Sequence, residues 1–122
     1  MARVLVVDDK ASNRELLRTM LEHAGHEVTE ADDGVATLES MRLEKPEVVL
    51  LDIQMPILDG YAVLERVMAD EELRGIPVIA VTAYAMQGDS LRGIRAGFRE
   101  YLTKPISMRQ LLAAVDRQLK RE

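Results

Sequence analysis

The chain contains no cysteine among its 122 residues, which excludes disulfides, thiolate catalysis and cysteine-based metal sites. It has no apolar run near the roughly 18 residues of a membrane span, and its apolar amino-terminal run is too short for a signal peptide. Basic residues are not in excess either: 16 stand against 21 acidic ones, a net charge of -5, which argues against a nucleic-acid partner. These absences predict an intracellular, cytoplasmic protein without direct contact to membrane or nucleic acid.

The remaining composition is that of one soluble globular domain. Hydrophobic residues make up 48% and charged residues 30%, a balance that allows a core to form without disulfides or metal. No linker, low-complexity tract or further sequence repeat divides the chain. We therefore predict a single domain over residues 1–122, with no output domain attached.

Five short apolar runs recur at near-regular spacing, and each precedes a stretch with helical periodicity. The runs are Val4–Val7, Val28–Ala31, Val48–Leu51, Val78–Val81 and Tyr101–Thr103. This alternation predicts βα units and a parallel sheet. Polar residues interrupt the second and fifth runs, which places them at the sheet edges. The pattern favours an α/β, flavodoxin-like (βα)5 three-layer sandwich with strand order 2-1-3-4-5.

Capping residues predict where the helices begin. The expected starts are a capping box at Ser12, a cap near Asp33, the pair Asp59-Gly60, a fourth helix from about Met86 to Ala96, and Ser107. Gly25 and Gly97 are expected to end the first and fourth helices.

Charged and polar side chains follow four of the five predicted strands. They are Asp8 and Asp9, then Asp52, Thr82, and Lys104 with Pro105. Ligands of open parallel sheets bind beyond the carboxyl ends of the strands, so these groups are expected to share one pocket. Carboxylates about 4 Å apart repel by about 4 kcal/mol at a dielectric of about 20, so the pocket needs positive charge. An all-oxygen ligand set favours Mg²⁺, or alternatively Mn²⁺, over zinc.

The same residues carry a resemblance to a known family. Val-Val-Asp-Asp at 6–9, Leu-Asp-Ile-Gln-Met-Pro at 51–56, Val-Thr-Ala at 81–83 and Tyr-Leu-Thr-Lys-Pro at 101–105 resemble the receiver domain of two-component response regulators. The likeness runs from about Arg3 to Leu119. Within it, the segment from Val81 to Asp89 resembles stand-alone cell-cycle receivers and the receivers of hybrid kinases.

This resemblance implies a role for each pocket residue. Asp52 would accept the phosphoryl group, with Asp8, Asp9, Asp52 and the backbone carbonyl of Gln54 holding Mg²⁺. Thr82 and Lys104 would bind the phosphoryl oxygens, and Lys104-Pro105 would be a cis peptide. The phosphodonor would be a sensor histidine kinase or a histidine phosphotransfer protein.

The resemblance also implies a conformational switch. Thr82 would move towards the phosphoryl group, and Tyr101 would turn inwards and alter the surface of helix four, strand five and helix five. That surface would bind a downstream protein, the chain itself being a monomer or weak homodimer. Gln54 and Tyr84 would tune the lifetime of the phosphorylated state. Lys10 departs from the neutral polar residue that many relatives carry there.

Other functions fit the fold less well. A phosphatase with an aspartyl-phosphate intermediate would need a second acid two residues after Asp52, where Gln54 stands. We therefore expect self-catalysed phosphorylation and dephosphorylation rather than enzymatic turnover. An FMN carrier would need a hydroxyl-rich loop in place of Asp8 and Asp9. A receiver excised from a hybrid histidine kinase and a constitutive docking module remain alternatives.

Overall fold

The computed structural model describes residues 2–83 and 89–120, and within them five strands alternate with five helices. The strands are β1 (Arg3–Val7), β2 (Glu27–Ala31), β3 (Val48–Asp52), β4 (Val78–Thr82) and β5 (Glu100–Thr103). The helices are α1 (Ala11–His23), α2 (Gly34–Glu44), α3 (Gly60–Met68), α4 (Asp89–Ala96) and α5 (Met108–Leu119). No helix of the described part is long and apolar enough to cross a membrane.

The sheet has the predicted topology. Its strand order is β2-β1-β3-β4-β5, and all neighbouring strands are parallel. In register, Val7 lies beside Leu51, Asp52 beside Val81, and Thr82 beside Thr103. The carboxyl ends of the strands therefore meet at one edge of the sheet.

Alternation along the strands divides the core into two layers. On β1, Leu5 and Val7 pack with buried residues of α2 and α3, whereas Val4 and Val6 pack with buried residues of α1 and α5. Strands β3 and β4 are buried at every position, as expected of strands covered by helices on both faces. The predicted three-layer sandwich is confirmed.

Most helix boundaries follow the predicted caps. The side chains of Asp33, Asp59 and Ser107 each accept a hydrogen bond from the backbone N–H three residues later. The cap at Ser12 was wrong, because α1 begins at Ala11 and its N-cap, Lys10, makes no side-chain capping bond. Asp8 Oδ1 accepts the Lys10 N–H at 2.9 Å, so the chain turns into the helix before Ser12.

Glycines end two helices as predicted. Gly25 has a φ of 91°, and the N–H groups of Gly25 and His26 bond to the carbonyls of Glu22 and Leu21, which is a Schellman motif. Gly97, after α4, has a φ of 123°. The predicted start of that helix near Met86 lies outside the described residues.

Candidate functional site

Three carboxylates meet at the carboxyl edge of the sheet. One oxygen from each of Asp8, Asp9 and Asp52 lies within 4.8 Å of the other two. Asp8 follows β1 and is 1% exposed, and Asp52 ends β3 and is 4% exposed. Asp9 is open to solvent. The structure thus brings together the three acids that the sequence placed in one pocket.

Backbone N–H groups fix the orientation of the two buried carboxylates. Asp52 Oδ1 accepts the N–H of Gln54 at 3.0 Å, and Asp8 Oδ1 accepts the N–H of Lys10 at 2.9 Å. In each case the carboxylate accepts a hydrogen bond from the backbone N–H two residues later. The turn that follows the strand therefore fixes the orientation of the carboxylate. The second oxygen of each acid is directed at the ammonium group of Lys104.

Lys104 supplies positive charge between the two buried acids. Its Nζ lies 2.9 Å from Asp8 Oδ2 and 3.5 Å from Asp52 Oδ2. The Lys104-Pro105 peptide bond is cis, as the family resemblance implies. The Lys104 N–H donates to the carbonyl of Thr82 at 2.7 Å, so the chain after β5 is tied to the end of β4. Thr82 is 2% exposed and lies at the same edge.

Burial and charge shift two protonation equilibria in the pocket. The pKa of Asp52 is raised overall. Burial raises it most, and the neighbouring charge of Asp8 raises it further, whereas the hydrogen bond from the Gln54 N–H and the charge of Lys104 lower it. Burial lowers the pKa of Lys104, but its hydrogen bond to Asp8 and the charge of Asp52 outweigh this, so its pKa is raised overall. The lysine is therefore cationic at neutral pH, whereas ionised Asp52 is held at a cost.

The donor set fits a hard divalent cation. Three carboxylates against one ammonium leave about two uncompensated negative charges in a partly buried space. Carboxylate oxygens, with no thiolate or imidazole among the described ligand groups, match Mg²⁺ or Mn²⁺ rather than zinc. The role of the Gln54 carbonyl as a further ligand stays a prediction.

Sequence reasoning missed two residues of α1 that support the pocket. Asn13 Nδ2 donates to Asp8 Oδ1 at 3.4 Å, and Arg14 Nη1 donates to the Asp8 carbonyl at 2.8 Å. Arg14 also pairs with Glu30 at 2.9 Å, which anchors the β1–α1 turn to β2. A polar face on the first turn of α1, directly after the acidic pair, was the available signal. Lys10, by contrast, is exposed.

Gly60 is a second supporting feature of the pocket. A Cβ at this position would lie 2.6 Å from Ile53 Cα and 3.0 Å from the carbonyl oxygen of Asp52. The Gly60 N–H also donates to the Ile53 carbonyl at 2.9 Å. The start of α3 can therefore close against the end of β3 only because no side chain stands there.

Of the two tyrosines with predicted roles, Tyr101 lies within the described residues. Tyr101 is half-buried, and its ring packs so closely on α4 that a Cβ on Gly93 would lie 2.8 Å from its Cδ2. Its role as a switch stays a prediction. Tyr84 lies outside the described residues.

A five-stranded parallel sheet with three carboxylates and a lysine at one edge is the arrangement that the resemblance to receiver domains implies. The family model of the response regulator receiver domain matches residues 4–116. The chain therefore belongs to the receiver domains of response regulators, whose function is phosphorylation-dependent signalling.

Individual relatives agree with this assignment. PilH of Pseudomonas aeruginosa is 42% identical over 116 residues, which cover 95% of this chain and 96% of PilH. The polar-differentiation response regulator DivK of Brucella abortus is 39% identical over 112 residues, covering 92% and 91%. The solved receiver domain of Francisella response regulator 1452 superposes with a TM-score of 0.91 at 30% identity, covering 99% of this chain and 98% of that one.

Proposed function

We propose that Asp52 accepts a phosphoryl group from the phosphohistidine of a sensor kinase or phosphotransfer protein, in the presence of Mg²⁺. The observation that carries this proposal is the juxtaposition of three carboxylates with Lys104 at one edge of the sheet. Mg²⁺ held by Asp8, Asp9 and Asp52 would supply positive charge to the oxygens of the transferring group. The chain's own residues supply the nucleophile, a second cation and orientation.

In the proposed transfer, a carboxylate oxygen of Asp52 attacks phosphorus. The new P–O bond forms as the P–N bond of the donor imidazole breaks, and the imidazole leaves with the bonding electron pair. Because Asp52 Oδ1 is held by the Gln54 N–H, the carboxylate keeps a fixed orientation towards the donor. The outcome is an acyl phosphate on the last residue of β3.

Lys104 and Thr82 are the proposed partners of the transferred group. Lys104 Nζ lies within 3.5 Å of both buried acids, so a small shift brings it to a phosphoryl oxygen on Asp52. Thr82 ends the neighbouring strand, one position beyond the residue paired with Asp52. Both groups would stabilise charge on the phosphoryl oxygens, as preorganised donors do.

We propose that the chain is no turnover enzyme. Hydrolysis of the acyl phosphate would proceed by attack of water on phosphorus, which returns the carboxylate and releases inorganic phosphate. The residue two positions after Asp52 is Gln54, whose amide cannot act as the general acid of an ester phosphatase. Gln54 is exposed beside the pocket, where its bulk would affect the approach of water.

We propose that the signal leaves through α4, β5 and α5. Tyr101 connects the two ends of this route, because it lies on β5 two residues before Thr103, the partner of Thr82, and its ring rests on Gly93 of α4. A movement of Thr82 towards the phosphoryl group would therefore change the position of Tyr101 and, through it, the surface of α4. A downstream protein would read that surface.

The test is the intact mass of the protein after incubation with acetyl phosphate and Mg²⁺. We expect a gain of one phosphoryl group, which is abolished by a chelator and by Asp52→Ala. The matched control is Asp116→Ala, which removes an exposed acid far from the pocket and should leave the gain unchanged. Failure to gain mass under any metal condition, together with no beryllofluoride adduct, would overturn the proposal.

A further inference from the structure

The exposed acid of the pocket, Asp9, differs from the two buried ones in how it is held. Both carboxylate oxygens of Asp8 accept hydrogen bonds, and so does Oδ1 of Asp52. Within the part of the chain that the structure describes, no group donates a hydrogen bond to the carboxylate of Asp9. The direction of that carboxylate therefore depends on the backbone that carries it.

Two peptide units flank Asp9, and each of them is held by a hydrogen bond. The unit before it includes the carbonyl of Asp8, which accepts a bond from Arg14 Nη1 at 2.8 Å. The unit after it includes the Lys10 N–H, which donates to Asp8 Oδ1 at 2.9 Å. Because peptide units are planar, holding both of them restricts the direction of the Cα–Cβ bond of Asp9 between them. Arg14 is the side chain that holds the first unit.

Arg14 is itself held by a carboxylate of the edge strand β2. Its Nε donates to Glu30 Oε1 at 2.9 Å, and the other carboxylate oxygen of Glu30 lies 3.1 Å from Arg18 Nε. The side chain of Arg14 is only 16% exposed. A guanidinium presents its donors in a fixed planar arrangement, so one side chain can bind a carboxylate and a carbonyl at the same time. Glu30 and Arg14 thus connect β2 to the turn between β1 and α1.

The charge of Arg14 does not explain its position beside the acidic pocket. A cation close to the acids repels a divalent cation that would bind there. Glu30 offsets this charge, which leaves the hydrogen bond to the Asp8 carbonyl as the contribution of Arg14 to the pocket. Residues that orient metal ligands without touching the metal typically change metal affinity by about 10- to 100-fold when they are replaced.

Asn13 is a weaker candidate for such a role. Its Nδ2 lies 3.4 Å from Asp8 Oδ1, an oxygen that already accepts the Lys10 N–H at 2.9 Å. Without Asn13, the Asp8 carboxylate would keep its two shorter bonds, to Lys10 and Lys104. Among the described side chains, only that of Arg14 donates to the Asp8 carbonyl.

We propose that Arg14, held by Glu30, is a positioning residue that orients the carboxylate of Asp9 and thereby favours Mg²⁺ over Ca²⁺. Mg²⁺ demands a near-ideal arrangement of its ligands, whereas Ca²⁺ accepts flexible arrangements of oxygens. Release of the Asp8 carbonyl should therefore reduce the affinity for Mg²⁺ more than the affinity for Ca²⁺. The inference rests on the proposed function, because it assumes that the three pocket acids hold the ion.

The test is an NMR titration of the ¹⁵N-labelled full chain with Mg²⁺ alone and with Ca²⁺ alone. Arg14→Met removes the donor but keeps an unbranched side chain with good helix propensity. We expect the variant to bind Mg²⁺ about tenfold more weakly, and Ca²⁺ at most about threefold more weakly. The dissociation constants are measured on folded protein, so a variant that is merely less stable would keep both affinities of the original chain.

The matched control is Arg18→Met. Arg18 lies one turn further along α1, also faces Glu30 and carries the same charge, but its guanidinium donates to the Val28 carbonyl instead. Its replacement should leave both affinities within about twofold of those of the original chain. An equal loss of Mg²⁺ affinity in Arg14→Met and Arg18→Met would overturn the proposal.

A role of Arg14 through charge predicts the opposite result. Removal of a neighbouring cation would then make Arg14→Met bind both ions more tightly, and to a similar extent because the two ions carry the same charge. Tighter binding, unchanged Mg²⁺ affinity, or equal losses for Mg²⁺ and Ca²⁺ would each overturn the proposal. If Arg14→Met does not fold, Arg14→Gln is titrated instead and the same outcomes decide.

The Mg²⁺ dependence of phosphorylation separates this inference from the proposed function. With acetyl phosphate as donor, Arg14→Met should need about tenfold more Mg²⁺ for the half-maximal initial rate, while its maximal rate stays within about twofold. A lower maximal rate at saturating Mg²⁺ would contradict a role in positioning alone. Normal Mg²⁺ binding by both the original chain and Arg14→Met contradicts only this inference, whereas an original chain that binds no Mg²⁺ contradicts the proposed function.

Discussion

Neutralising the central acid should stabilise the fold when metal is absent. Asp52→Asn keeps the shape of the side chain and its acceptor for the Gln54 N–H, but removes the negative charge. Because burial raises the pKa of Asp52, the folded protein disfavours the ionised form relative to the unfolded chain. At neutral pH the wild-type protein therefore carries a cost that the variant lacks.

The size of this effect follows from the distances in the pocket. At a dielectric of about 20, Asp8 within 4.8 Å repels the Asp52 charge by about 3.5 kcal/mol, and Lys104 at 3.5 Å attracts it by about 5 kcal/mol. Exposed Asp9 adds a weaker repulsion of about 1 kcal/mol. These terms nearly cancel, so the net effect is set by the desolvation of a carboxylate that is 4% exposed. We expect a stabilisation of about 1 kcal/mol.

Urea unfolding followed by far-UV circular dichroism measures this difference in a chelating buffer. The advantage of Asp52→Asn should be present at pH 7 and vanish as the pH falls below the ordinary Asp value of 3.8, where both chains are neutral at this position. Adding Mg²⁺ should stabilise the wild type more than the variant, because ligand binding adds to the free energy of unfolding. The control Glu71→Gln removes an exposed charge. It should change neither the free energy of unfolding in the chelating buffer nor the stabilisation by Mg²⁺. A less stable variant in the chelating buffer would refute the reasoning.

Three further substitutions test other parts of the structure by the same unfolding assay. Ile57 is fully exposed at a φ of 70°, so Ile57→Gly should stabilise the fold by about 1 kcal/mol, and a loss would contradict the strained turn. Burial raises the pKa of Glu100, but hydrogen bonds from α5, chiefly from Arg117, lower it overall. Glu100→Gln should therefore cost up to about 1 kcal/mol at pH 7, and this cost should disappear as the pH falls through the lowered pKa of Glu100; a pH-independent cost would count against the ion pair. Gly93→Ala should destabilise by about 1 kcal/mol despite the better helix propensity of alanine, because the new Cβ meets the Tyr101 ring; a gain in stability would show that the ring moves freely.

The fold was readable from the sequence because local and long-range signals agree. Continuous apolar runs such as Val48–Leu51 and Val78–Val81 can be stable only between two helical layers, and the polar residues in Glu27–Ala31 mark an edge strand. The caps at Asp33, Asp59 and Ser107 each bond to the backbone N–H three residues later. Such local bonds can be predicted from neighbouring residues of the sequence alone.

The predicted cap at Ser12 was wrong because a contact needed by the pocket, rather than the local capping box, sets the start of α1. Asp8 must point into the pocket, and its bond to the Lys10 N–H starts the helix earlier than the capping box suggests. The support from Asn13 and Arg14 was missed for a related reason, since it depends on how α1 crosses the sheet edge. Distances across the pocket, and the surface formed by α4 with α5, arise only when distant segments meet.

The central claim is that Asp52 alone among the three pocket acids becomes an acyl phosphate. Borohydride reduces an aspartyl phosphate to homoserine, so reduction after treatment with acetyl phosphate and Mg²⁺, followed by peptide mass mapping, locates the acceptor. We expect homoserine in place of Asp52 and unchanged aspartate at Asp8 and Asp9, with no conversion when the chelator is present. Conversion at Asp8 or Asp9, or equal conversion at Asp52 without divalent cation, would contradict it.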